Sequence, residues 1–102
     1  MQITLFYIPF GTESDANAIG REAIVTKLAA CANVFPIQST FPWEGAMQQE
    51  SEYVLILKTV PSLEEKVRDF ISNQHPYEVP CIMCWNVEVN ETYGKWILTN
   101  VE

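Results

Sequence analysis

At 102 residues with 48% hydrophobic content, the chain supports one domain with a thin core and leaves no room for two. Six basic against 13 acidic residues give a formal charge of -7, which repels phosphate backbones and anionic membrane surfaces and favours cations as partners. No apolar run approaches the ~20 residues needed to span a bilayer, the first residues lack a basic export signal, and three cysteines make no disulfide framework, so a cytoplasmic protein with reduced thiols is expected.

Ile3 to Ile8 is apolar on both alternating phases, as in a central strand covered from both sides, and Pro9 and Gly11 stop it. Thr12, with Asp15 three residues on, caps a helix whose apolar stripe Ala16, Ile19, Ala23, Ile24 and Leu28 predicts an end near Ala30. From Ala32 the period becomes two. Phe35, Ile37, Phe41 and Trp43 share one side of a strand, and Pro36 and Pro42 place it at an edge or at bulges. Glu44-Gly45-Ala46-Met47 reads as a hairpin turn, and the return strand Gln49 to Thr59 is again apolar on both phases near its end. Arms of about a dozen residues would be ~40 Å long at ~3.3 Å per residue, whereas a domain of this size has a radius of gyration of ~13 Å. The hairpin is therefore expected to overhang its own domain.

Pro61 and Ser62 open the next helix, with a Ser62–Glu65 capping box and Leu63, Val67, Phe70 and Ile71 as the buried stripe. It runs into His75-Pro76-Tyr77-Glu78-Val79-Pro80, where Pro76 should end the helix at His75 and Val79 should already be extended. A last strand, Val79 to Val89, is apolar on both phases at its centre. Asn90 then caps a short helix carrying Tyr93, Trp96 and Ile97 on one face. The order β-α-β-β-α-β plus a terminal helix predicts one α+β, ferredoxin-like domain over residues 1–102. Both long helices then cover one sheet face, and the apolar phase on the other face predicts a homo-oligomer.

His75 is the sole histidine, and it either caps the helix C-terminus or, with Glu78, offers nitrogen and oxygen to Cu(II) or Zn(II), a second subunit supplying further ligands. No serine or cysteine nucleophile is visibly paired with it, so no enzyme is expected. Cys81 and Cys84, three apart on a strand, should face opposite ways and pack as structural thiols. Cys31 should follow a helix C-terminus, where the dipole does not activate a thiol. Lys58 is either an edge residue reaching solvent or a partly buried cation that needs an anionic partner. Trp43 and Glu44, at the hairpin tip, are either turn decoration or an anchor on a neighbouring subunit.

The segments His75–Pro80 (HPYEVP), Trp43–Gly45 (WEG), Leu57–Thr59 and Leu28–Cys31 (LAAC) together resemble the CutA family of divalent-cation tolerance proteins along nearly the whole chain. The resemblance implies a trimer in which these segments meet near the clefts between subunits, and a role in tolerating and binding divalent metals, notably copper. Cys31, in the LAAC position, joins His75 and Glu78 as a candidate metal ligand, while Lys58, Tyr77, Trp43 and Glu44 are candidates for lining the cleft. The alternative is a regulatory trimer holding a small anionic ligand on Lys58, His75 and Tyr77. Two departures from the family pattern stand out: Cys81 replaces a usual acidic residue after the second proline, and Trp85-Asn86 replaces a usual Leu-Pro pair.

Overall fold

The computed structural model of the chain describes residues 1–101. Strand β1 is Gln2–Phe10, helix α1 Glu13–Val25, β2 Cys31–Trp43 and β3 Ala46–Thr59. A 3₁₀ turn, Pro61–Leu63, leads into α2, Glu64–Gln74, followed by β4, Met83–Glu88, and α3, Glu91–Thr99. The strands form one antiparallel sheet of order β2-β3-β1-β4, the expected ferredoxin-like α+β arrangement.

Register decides which residues share a face. Phe6 lies opposite Leu57 and Cys84, and Ile8 opposite Leu55. These side chains, with Phe10, Ala16, Ala23, Val67 and Ile71, form the core beneath α1 and α2. A Cβ on Gly20 of α1 would come within 3.0 Å of Leu55 and 3.2 Å of Ala32, so the absent side chain lets this helix settle onto β2 and β3. The opposite phase places Leu5, Tyr7, Phe35, Ile56, Met83 and Trp85 on the second face. There α3 covers only one end, with Gly94 against Met1 and Tyr93 beside Lys58. Phe35, Met83 and Trp85 remain 40%, 49% and 43% exposed, so the doubly apolar strands do leave one greasy face bare.

Beyond Phe10, which pairs with Tyr53, β3 has no partner on the β1 side, and the β2–β3 hairpin continues alone to the pair Trp43–Ala46. The domain is accordingly elongated, 46 × 24 × 21 Å. Its two-residue turn places Glu44 at φ 50° and Gly45 at φ 81°, the left-handed pair whose twist matches that of the strands.

Several boundaries differ from expectation. Helix α1 ends at Val25 rather than near Ala30, because Lys27 turns left-handed (φ 62°). The Leu28 amide then donates to the Ala23 carbonyl at 2.9 Å and the Lys27 amide to Ile24 at 3.0 Å, the paired bonds of a Schellman closure. Cys31 consequently opens β2 instead of following a helix end. Ser62 lies inside the 3₁₀ turn, where no side chain caps either the turn or α2, so the Ser62–Glu65 box does not form. Asn90 holds the α3 N-cap position without a side-chain bond. Strand β4 starts at Met83, four residues later than Val79: past the Tyr7–Met83 pair the ladder would reach Pro9, which has no amide hydrogen and whose carbonyl is bound to His75.

Candidate functional site

The site grows from the point where α2 stops. Pro76 forces the residue before it out of the helical region, and His75, with ψ 132°, is extended at the C-cap. Its ring lies flat on Phe10, centroids 4.2 Å apart and planes inclined by 12°. Nε2 is 2.8 Å from the Pro9 carbonyl, which can only accept, so Nε2 carries the hydrogen. Nδ1 is left as an acceptor, and the Tyr77 amide donates to it at 3.1 Å. Both nitrogens are thus engaged in the neutral ring. Burial lowers the His75 pKa below its ordinary value, against the opposing pull of the Pro9 carbonyl, Asp15 and Glu52.

His75 in turn aims Tyr77. The phenol ring leans against the imidazole, centroids 4.7 Å apart, and its hydroxyl donates to Glu52 Oε2 at 2.5 Å. The path is open because residue 11 is glycine: a Cβ there would sit 3.3 Å from the phenol oxygen. Burial, with the Glu52 carboxylate adding to it, drives the Tyr77 pKa strongly upward, so the phenol stays a donor. Glu52 is only 7% exposed and binds this hydroxyl through one oxygen.

Above this network, where the hairpin leaves the sheet, lies a cleft of about 550 Å³. Phe41, Trp43, Glu50 and Glu52 line it from the hairpin, Pro9 and Gly11 from the end of β1, and Tyr77, Glu78 and Cys81 from the α2–β4 connection. Among the described residues no lysine, arginine or histidine lines it. The carboxylates of Glu50, Glu52 and Glu78 therefore face a space that attracts positive charge.

Of the residues singled out from the sequence, Tyr77, Trp43 and Glu78 meet in this cleft, with His75 directly behind Tyr77. Glu44 belongs to the exposed turn and does not line it. Cys31 pairs with Lys58, which pairs with Leu5, whereas His75 holds Pro9 four residues further along β1. At ~3.3 Å per residue that is roughly 13 Å, so Cys31 and His75 do not converge within one chain. Lys58 lies on a central strand, not an edge, and is half-buried. It rests over the Tyr93 ring, 5.5 Å from the centroid, with Nζ 3.4 Å from the hydroxyl. Within one chain the alternative anion site of Lys58, His75 and Tyr77 is not assembled: Lys58 is roughly 20 Å along β3 from Glu52, and the Tyr77 hydroxyl already serves a carboxylate.

Cys81 precedes β4 and is exposed in the cleft, while Cys84 faces α2, where Arg68 Nη2 approaches its sulfur at 3.0 Å. The two thiols part company, as expected, but Cys81 is no buried strand residue. Partial desolvation by neighbouring residues raises the pKa of both. The sequence reading passed over Glu50, Glu52 and Phe41 as site residues and took Cys81 for a packing thiol. A signal existed for the two glutamates: on one phase of β3, polar Gln48, Glu50 and Glu52 give way to apolar Val54 and Ile56 where the arm joins the body.

A ferredoxin-like sheet with one bare apolar face, a projecting hairpin and an acidic cleft at its root defines a class of small α+β domains. The profile of the family described as CutA1 divalent ion tolerance protein matches residues 4–100, and the chain belongs to that family. The divalent-cation tolerance protein CutA of Archaeoglobus fulgidus is 36% identical over 97 residues, covering 94% of this chain and 95% of the relative. Human protein CutA is 33% identical over 97 residues, covering 93% of this chain and 54% of the human protein. Among solved structures, CutA1 from Pyrococcus horikoshii superposes with a TM-score of 0.94 at 31% identity, over 97% of this chain and 98% of that one. The structure described as the periplasmic divalent cation tolerance protein CutA from Archaeoglobus fulgidus does so at 0.92 and 35% identity, over 98% and 99%.

Proposed function

We propose that this protein is a non-enzymatic, homotrimeric binder of divalent cations, copper among them, acting in divalent-cation tolerance. The observation that carries the reading is the cleft in which Glu50, Glu52 and Glu78 gather with no cationic side chain among them. Membership of the divalent ion tolerance family supports the same direction. The bare face bearing Phe35, Met83 and Trp85 supports self-association, because a monomer would leave this apolar surface in water.

The donor set limits how an ion would sit. Among the described residues no three of His, Cys, Asp and Glu stand close enough together to hold a metal. His75 would have to release Pro9 or Tyr77 before it could ligate. The chain therefore offers carboxylate oxygens, chiefly from Glu78 and Glu50, with Cys81 as an adjacent soft donor suited to copper or zinc. Water or a neighbouring copy completes the shell, and Cys31 takes part only if that copy brings it to the cleft. Calorimetric titration with Cu(II) and Zn(II) tests this. Saturable binding should weaken at least about tenfold in a Glu50→Gln/Glu78→Gln variant, the scale of losing a charged ligand. Unchanged binding in that variant overturns the assignment, and sedimentation at dilute concentration that finds a folded monomer overturns the assembly.

A further inference from the structure

From the cleft's walls we infer that it also receives an organic ammonium ion, whose charge meets the carboxylates while its hydrocarbon body lies against Phe41, Trp43 and Tyr77. The inference rests on the proposed reading of this cleft as cation-selective, and extends it from metal ions to small organic cations. A volume of about 550 Å³ far exceeds what a single ion fills and falls within the ~300–1,000 Å³ of small-molecule sites. Aromatic rings give a metal ion no donor atoms, yet the face of an aromatic ring attracts an alkylammonium group. Three aromatic side chains and three carboxylates, with no counter-cation, line the same space.

Glu52 adds an independent observation. More than nine-tenths of it is buried, and it lines the cleft. Tyr77 satisfies Oε2, whereas Oε1 takes no hydrogen bond among the described residues and is not sealed away from the surface. An accessible carboxylate oxygen on a residue that lines the cleft can accept a hydrogen bond from whatever enters. A primary ammonium has three N–H donors, enough for Glu52 Oε1 and for one further carboxylate or water. The His75–Tyr77–Glu52 chain holds this oxygen in place before any ligand arrives, which lowers the ordering cost of binding.

The test uses benzylammonium and its neutral counterpart benzyl alcohol, titrated calorimetrically into the intact protein in the assembly it adopts. Benzylammonium should bind saturably, and benzyl alcohol at least about tenfold more weakly, since it keeps the ring but lacks the charge. Glu50→Gln, at an exposed position, should weaken benzylammonium about fivefold, and Trp43→Ala by a similar factor. Trp43→Ala should leave Cu(II) or Zn(II) binding in place, because the indole is no metal donor. Equal affinity for the two compounds, or metal binding without benzylammonium binding, overturns the inference while the metal reading stands. Loss of both metal and ammonium binding in the folded wild-type protein overturns both.

Discussion

The Tyr77–Glu52 bond is the joint on which the cleft is hung, and a double-mutant cycle measures it. Tyr77→Phe keeps the ring on His75 and removes only the hydroxyl, leaving a carboxylate that is 7% exposed without its donor. A hydrogen bond to a charged acceptor contributes ~1.5–3 kcal/mol, and stranding a buried partner adds to the loss, so the single variant should be destabilised by about 2–3 kcal/mol. Glu52→Leu removes the charge and fills comparable space, leaving the Tyr77 hydroxyl to turn toward the open cleft. It should cost about 1 kcal/mol. In the double variant nothing is stranded, so the losses should fall short of additivity by at least about 1 kcal/mol. Denaturant unfolding of all four proteins at one protomer concentration gives the coupling, the fixed concentration being necessary for an assembling protein. Additivity within ~0.3 kcal/mol would refute the claim that this pair organises the site.

Other expectations follow from single features. Burial holds the His75 pKa below its ordinary value of 6.5, so as pH falls the unfolded chain takes up this proton first. The stability contributed by the neutral ring is therefore present above about pH 6.5 and drains away below it, toward the lowered folded-state value. His75→Phe should remove that part of the acid dependence in denaturant unfolding followed from pH 8 to 5, and an unchanged slope would contradict it. Lys27→Gly places the residue suited to φ 62° at the helix closure and should raise stability by ~0.5–1 kcal/mol, read as an upward shift in Tm. Gly45→Val, at φ 81°, should lower it by more than ~1 kcal/mol, and a neutral result would mean that the turn relaxes. Trp85→Asp on the bare face should shift sedimentation toward smaller species with α1 and α2 intact by circular dichroism.

The architecture was legible because it is written in local periodicity. Apolar residues on both phases of β1, β3 and β4 announced a sheet with business on two faces, and Pro76 marked the end of α2 to the residue. What escaped depends on where distant segments stop. Nothing near Lys27 says that a lysine will take the left-handed position usually given to glycine, so α1 was drawn too long. Residues 79–82 read as strand because their alternation continues, yet the ladder is cut by Pro9 on another strand. Glu52 looked like an ordinary polar strand residue, and its burial follows from β1 ending opposite Tyr53 and from Tyr77 arriving through the gap at Gly11. Cys81 was placed in the core for the same reason that β4 was drawn too long. His75 was recognised as central, but its service is to steer Tyr77, a role visible only once Pro9 is beside it.

The hairpin's tight turn imposes a parity rule on this molecule's descendants. Because Glu44 and Gly45 alone join Trp43 to Ala46, any lengthening of the arm must add residues to both strands together. An odd increment per strand, inserted between the hairpin's root and Phe41, would rotate Phe41 and Trp43 to the reverse side of the ribbon and away from Glu52 and Glu78. Arms should therefore grow or shrink in steps of two residues per strand wherever the cleft is kept.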